Sequence, residues 1–255
     1  MTIKNTLFVG KVFEWLESVD STNRFTRDLL SKSKPPEGTV VATARQTAGR
    51  GQIGSNWESE PDKNVTCSVI FYPVFLEARR QFLLNQSVAL AIHDVLSALK
   101  MEGVKIKWPN DIYVGHKKIC GLLLQNSVAG NFLQATISGI GLNVNQSAFL
   151  SDAPNPTSVF LETGKTAPLA EMYQLLCEKL EFRYLQLRRG EAQKIDRDYH
   201  ENLYLVETEH DFFLPDGAVL KGKIKGVNET GKLLVQCGAK LKVFDFKEIA
   251  FGKKA

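Results

Sequence analysis

The sequence predicts an α+β fold: a mixed β-sheet with helices packed on one face, followed by a small C-terminal β-barrel. Three observations lead there. The elements run helix, strand, loop, strand, helix and then several strands in succession, which is not the alternation of a doubly wound sheet. One long segment, Glu77 to Lys100, carries Leu83, Leu84, Val88, Ile92, Val95, Leu96 and Leu99 on a single helical face. Beyond Tyr204 the chain changes to short β-runs divided by turn residues.

Taken in order, Lys11 to Val19 alternates loosely and reads as a short strand. Asp20-Ser21-Thr22-Asn23 offers successive N-cap residues, with Phe25, Leu29 and Leu30 at helical spacing behind them. Pro35, Pro36 and Gly38 end that helix. Thr39 to Ala44 is a strand, Arg45 to Lys63 shows no periodicity, and Asn64 to Tyr72 is a strand again. Gly103 closes the long helix. Val104 to Trp108, Asp111 to Val114 and Lys118 to Gln125 read as strands, with Gly115-His116 as a hairpin turn. Phe132 to Val144 is a further strand, and Pro168 to Arg189 and Gln193 to Tyr204 are helices. Phe212 to Phe251 fits a barrel of roughly 45 residues. The expected division is residues 1–205 for a ligand-binding domain and 206–255 for the small β-domain.

Composition narrows the function. The 255 residues hold 32 basic and 28 acidic side chains, a net charge of +4 that permits an anionic ligand without demanding nucleic acid. Cys67, Cys120, Cys177 and Cys237 are far apart, so zinc-knuckle and Cys-x-x-Cys redox chemistry are disfavoured. Isolated thiols suit a reducing cytoplasm. No apolar run approaches the roughly 18 residues of a membrane helix, and the N-terminus lacks a signal-peptide core. A cytoplasmic location is the expectation.

Gly49-Arg50-Gly51-Gln52-Ile53-Gly54 formally matches a dinucleotide fingerprint. That motif needs an apolar helix to begin in the loop, whereas the residues after Gly54 are polar, include Pro61 and show no helical face. A plain tight turn accounts for any one of the glycines. Three glycines around an arginine in a long loop fit a carboxylate or phosphate cradle better, because glycine lets backbone N–H groups approach and Arg50 adds a permanent charge. An RNA-binding loop would carry more basic and aromatic residues. The second polar segment joins Lys107-Trp108-Pro109-Asn110-Asp111 to Lys118-Ile119-Cys120-Gly121. Lys105, Lys107 and Asp111 fall off the apolar face, Pro109 needs an edge or a bulge, and Gly121 suits a close ligand approach. The bland alternative is a solvated hairpin. A third strand, with Gly139 and Gly141, brings Asn143 to its end.

In this order and spacing the chain resembles the biotin protein ligases. The resemblance rests on Ser21-Thr22-Asn23, Gly49-Arg50-Gly51 with Trp57, Lys107 to Asp111, Lys118 to Gly121, Gly139 to Asn143 and the C-terminal β-segment. It implies a class II synthetase-like catalytic domain with an SH3-like C-terminal barrel. It also implies a two-step reaction. Biotin and MgATP form biotinyl-5′-AMP and pyrophosphate, and the biotinyl group then passes to a lysine of a biotin carboxyl carrier protein domain. By the same resemblance, Ser21, Thr22, Asn23 and Gln46 serve biotin's ureido head. Arg50, Gly51, Gln52, Lys118 and Gly121 lie along its carboxylate, with Arg50 and Lys118 catalytic. Trp57, Lys107, Asn110, Asp111 and Asn143 serve ATP, and Mg²⁺ is held mostly by phosphates.

Two departures from the family pattern stand out. Gln52 and Ile53 occupy positions where arginines are common, leaving Arg50 more of the charge to carry. Twenty residues precede Ser21, too few for the winged helix of bifunctional members, so neither DNA binding nor repression is expected. An exposed sheet edge could pair two copies as a homodimer. The nearest rival is a lipoate ligase, whose usual arginine-pair and triple-glycine signature is absent. A non-catalytic RNA-binding module is the rival from another class. It would need a basic and aromatic stripe stronger than Lys221, Lys223, Lys225, Lys240, Lys242 and Phe244 supply.

Overall fold

The computed structural model describes residues 1–52, 56–150 and 155–252. Seven strands form one sheet: β1 (Phe13–Val19), β2 (Val40–Gln46), β3 (Val65–Phe71), β4 (Val104–Lys107), β5 (Asp111–Val114), β6 (Lys117–Ala129) and β7 (Phe132–Leu142). Their order is β1-β2-β3-β7-β6-β5-β4. The β1–β2 pair is parallel and the other neighbours are antiparallel, so the sheet is mixed. The helices are α1 (Thr22–Lys32), α2 (Phe82–Ala98), α3 (Val159–Thr163), α4 (Leu169–Arg188) and α5 (Ala192–Glu201).

Strand β3 is buried along its whole length because both of its faces are covered. Phe71 stacks on Tyr184 of α4 with ring centroids 4.5 Å apart. Ser68, of opposite parity, meets Thr22 and Asn23 of α1. The long helices α2 and α4 therefore pack on one face, as the sequence predicts, while α1 lies across the other. Helix α2 is apolar nearly all round, with Leu84, Ala89, Leu90, Ala91, Ile92, Val95 and Leu96 fully buried, because it is wedged between the sheet and the helices α4 and α5. The short α3 carries no periodic signal. It starts on a capping bond from Leu161 N–H to Ser158 Oγ and stops at Gly164, where φ is +70°.

Strands β8 (Glu209–Phe213), β9 (Val219–Val227), β10 (Leu233–Cys237) and β11 (Lys240–Phe244) form a second, antiparallel sheet. The chain then returns to β8, where Phe213 and Ala250 exchange backbone hydrogen bonds of 2.9 and 2.8 Å. Phe212, Ile224, Leu233, Val235, Phe244 and Ile249 fill its interior. The second sheet is bolted to the first by Trp108, whose indole N–H donates to the Gly231 carbonyl at 2.8 Å. Gly231 has φ +87°, and a Cβ there would fall 2.4 Å from the Phe82 ring. Pro109 follows a cis bond in the turn after β4, and the bulge lies further on, between Ile112 and Tyr113.

Candidate functional site

One row of paired residues crosses five strands: Thr66 opposite Gly141, Gly141 opposite Gly121, Gly121 opposite Asp111, and Asp111 opposite Lys107. Side chains in such a row share one face of the sheet. The second and third positions, Gly141 and Gly121, lack side chains, so the row dips there and rises to charged groups at its β4 end. The Trp57 ring lies in the dip. A Cβ on Gly141 would fall 2.3 Å from Trp57 Cε2, and one on Gly121 would fall 2.8 Å from Cζ3. In this structure the close approach that glycine allows at Gly121 is made by the Trp57 ring. Gly139 serves α1 in the same way, since a Cβ there would fall 2.3 Å from Asn23 Oδ1.

Above this floor is a cavity of about 1060 Å³. It is lined by Ser21, Thr22, Asn23, Gln46, Arg50, Gly51, Gln52, Trp57, Lys107, Asn110, Asp111, Lys118, Gly121 and Asn143. The structure thus brings together every site residue named from the sequence. Ile53 and Gly54 of the loop lie outside the described residues.

The closed end is uncharged, with Ser21, Thr22 and Asn23 buried and Gln46 half-buried. Ser21 occupies the N-cap position of α1 but makes no side-chain capping bond, which leaves its hydroxyl to the cavity wall. Gln46 Oε1 accepts from Thr22 N–H at 2.9 Å. Asn23 Nδ2 donates to the Leu123 carbonyl at 3.0 Å. Ser68, which sequence reasoning missed, sits behind them with Oγ 2.8 Å from Thr22 Oγ1 and 2.6 Å from Asn23 Oδ1. A lone serine inside an apolar strand gives no signal by itself.

The loop after β2 folds back on itself, with Trp57 N–H donating to the Gly49 carbonyl at 3.0 Å and a bridge between Arg50 and Asn56. Arg50 stands exposed on the rim. Lys118 Nζ pairs with Asp111 Oδ1 at 2.7 Å, both side chains being about one-quarter exposed at 23%. The same ammonium lies 5.6 Å from the centroid of the Trp57 ring. Lys107 donates to Tyr113 Oη at 2.9 Å and lies 5.2 Å from the Phe251 ring centroid. Burial holds the Lys107 ammonium below its ordinary range, and Lys118 adds to that while Asp111 opposes it.

Asn110 and Asn143 differ in what they have left to offer. Asn110 Nδ2 is taken up by the Leu122 carbonyl, tying β5 to β6. Asn143 Nδ2 donates to the Thr157 carbonyl at 2.9 Å, but its buried Oδ1 has no partner among the described residues. An unpaired buried acceptor costs about 1–3 kcal/mol, so Asn143 suits a ligand donor. Trp57 Nε1 is likewise buried, with no partner among the described residues. The wall beside Lys107 also holds Tyr113, His116, Tyr204 and Phe251, with His116 Nδ1 2.7 Å from Tyr204 Oη. These residues come from three separate stretches of chain, so spacing could not have assembled them.

Fold and cavity together define an α+β ligand-binding domain with a glycine floor, a neutral closed end and a cationic open one. Residues 15–143 match the Biotin/lipoate A/B protein ligase family, and the chain belongs to it. It is 32% identical over 186 residues to the bifunctional ligase/repressor BirA of Bacillus spizizenii, covering 70% of this chain and 56% of that protein. It is 28% identical over 238 residues to the biotin–[acetyl-CoA-carboxylase] ligase of Mycobacterium tuberculosis, covering 91% and 86%. The chain thus spans little more than half the length of the first relative and most of the second. The solved biotin protein ligase of Aquifex aeolicus, in complex with biotin and ATP, has the same fold, with a TM-score of 0.78 at 24% identity. That match covers 94% of this chain and 98% of the other. Among the described residues, no helix is long and apolar enough to cross a membrane.

Proposed function

We propose that the protein is an ATP-dependent biotin protein ligase, forming biotinyl-5′-AMP and passing biotin to a lysine of a biotin carboxyl carrier protein domain. The observation that carries this reading is the polarity of one continuous cavity: neutral and hydrogen-bonding at its closed end, cationic where it opens. A carboxylic acid with a neutral polar ring, joined to a nucleotide, has the same sequence of chemistries.

In the first step a biotin carboxylate oxygen attacks the α-phosphorus of ATP. A P–O bond forms, and the bond to the departing pyrophosphate breaks. Both partners are anionic, so Lys118 and Arg50 would oppose their repulsion and stabilise the charge on the phosphoryl oxygens. Asp111 holds Lys118 in place at 2.7 Å. Asn143 Oδ1 would accept from the adenine amino group, and Lys107 would face the phosphates. Mg²⁺ would arrive with those phosphates. In the second step the lysine amine attacks the acyl carbon, AMP leaves with the bonding pair, and the amine loses its proton. The Trp57 ring, seated against Gly121 and Gly141, would help keep water from the mixed anhydride. The reaction needs no nucleic acid. The outer edge of β1 is where two copies could pair as a homodimer.

ATP–pyrophosphate exchange tests the reading. Exchange should depend on biotin and not on lipoate. Exchange with lipoate alone would move the protein to the lipoate branch of its family, and exchange with neither acid would overturn ligase activity.

A further inference from the structure

We infer that Ser68 is a positioning residue that sets the hydrogen-bond polarity of the closed end of the cavity, and through it the preference for a cyclic urea. The inference deepens the biotin reading and rests on it.

Thr22 N–H is an unambiguous donor, and it points at Gln46 Oε1 at 2.9 Å. That orients the Gln46 amide with Oε1 inward. Leu123 O is an unambiguous acceptor, and Asn23 Nδ2 donates to it at 3.0 Å. That orients the Asn23 amide with Oδ1 toward Ser68. The Thr22 hydroxyl has Ser68 Oγ at 2.8 Å and Gln46 Oε1 at 3.4 Å, so its proton stays within the cluster whichever of the two it reaches. Ser68 then faces two acceptors with one proton, Asn23 Oδ1 at 2.6 Å and Thr22 Oγ1 at 2.8 Å. It is fully buried and does not line the cavity, so it acts on a ligand only through those two neighbours.

The hydroxyl protons of Thr22 and Ser68 are thereby directed into the cluster, away from the ligand. What remains for a ligand is an acceptor, Thr22 Oγ1, beside a donor, Gln46 Nε2, which has no partner among the described residues. An N–H next to a C=O, as in a cyclic urea, complements that pair. A dithiolane ring offers neither group and would leave both unpaired, the kind of loss by which polar pockets discriminate most strongly. Without the Ser68 hydroxyl, Asn23 Oδ1 loses its donor and its amide is free to turn. Thr22 Oγ1 loses the same anchor.

The test compares wild type, Ser68→Ala and Ser68→Cys by KM and kcat in the exchange reaction with biotin, desthiobiotin and ATP, alongside melting temperature. Desthiobiotin keeps the urea and lacks the sulfur ring. Ser68→Ala should raise the KM for biotin and for desthiobiotin by the same factor, about tenfold, and leave that for ATP within about twofold. Ser68→Cys, a weaker donor of similar shape, should fall between. An unchanged biotin KM in Ser68→Ala, or an ATP KM rising in step with it, would overturn the inference while leaving the ligase reading in place. A wild-type protein without biotin-dependent exchange would overturn both.

Discussion

At the α1 end of the cavity, Thr22, Asn23, Gln46 and Ser68 are neutral and joined to one another by hydrogen bonds before any ligand arrives. At the β4–β6 end, Lys107, Asp111 and Lys118 are charged and partly exposed, and they share their wall with Tyr204 and Phe251 from beyond the first sheet. The first end is built where α1 packs directly on β2 and β3. The second is put together from a hairpin, a loop and the C-terminal β-unit, and it includes Asn143 Oδ1, which has no partner among the described residues. Recognition by shape and proton count suits the former, and stabilisation of developing charge suits the latter.

The sharpest way to break this contrast is Lys118→Met. It should lower biotin-dependent exchange by about 10²–10³-fold with little change in biotin affinity, measured by exchange and calorimetric titration. A drop below tenfold would reduce Lys118 to a partner for Asp111. Next in size is Gly141→Ala, whose new Cβ would sit 2.3 Å from Trp57 Cε2. Overpacking of this kind costs about 1–3 kcal/mol, visible as a lower melting temperature and a shifted tryptophan emission. Arg50→Ala should leave the fold intact and increase release of free adenylate by about tenfold, followed by chromatography of the acid-quenched reaction. Unaltered leakage there would remove Arg50 from the cationic end. The smallest effect is expected from Trp108→Phe. Losing the bond to Gly231 should cost about 1 kcal/mol of stability and raise the ATP KM, while the biotin KM stays put. A rise in both would mean that the two ends are coupled.

Periodic segments were legible because a half-buried strand or helix writes its exposed face into the sequence. This holds for β1, β4 and α4, whereas β3 and α2, covered nearly all round, were legible from segment length and apolar content. The five-residue α3 was not, because a single turn has no period, and Ser158 marks it only once its partner Leu161 is known. The site strings Ser21 to Asn23, Gly49 to Gly51, Lys107 to Asp111 and Lys118 to Gly121 stood out because polar and glycine residues interrupt apolar strands. Their internal economy did not. That Asn110 is taken up by Leu122 while Asn143 is half free depends on backbone carbonyls that no residue name reveals. Trp108 stands inside one of these strings with no role assigned from the sequence, and its indole N–H bolts the second sheet to the first.

The row from Thr66 through Gly141, Gly121 and Asp111 to Lys107 has a consequence for transplantation. No single loop contains the site, so grafting the Gly49 to Trp57 segment onto another scaffold would carry the arginine and the indole but no floor for them. A one-residue slip between β6 and β7 would turn the slipped strand's glycine, Gly121 or Gly141, to the opposite face and set a side chain where the indole rests. Whatever alters pairing at the far turn around Gly130 therefore acts on the site from a distance, by changing which residues face each other.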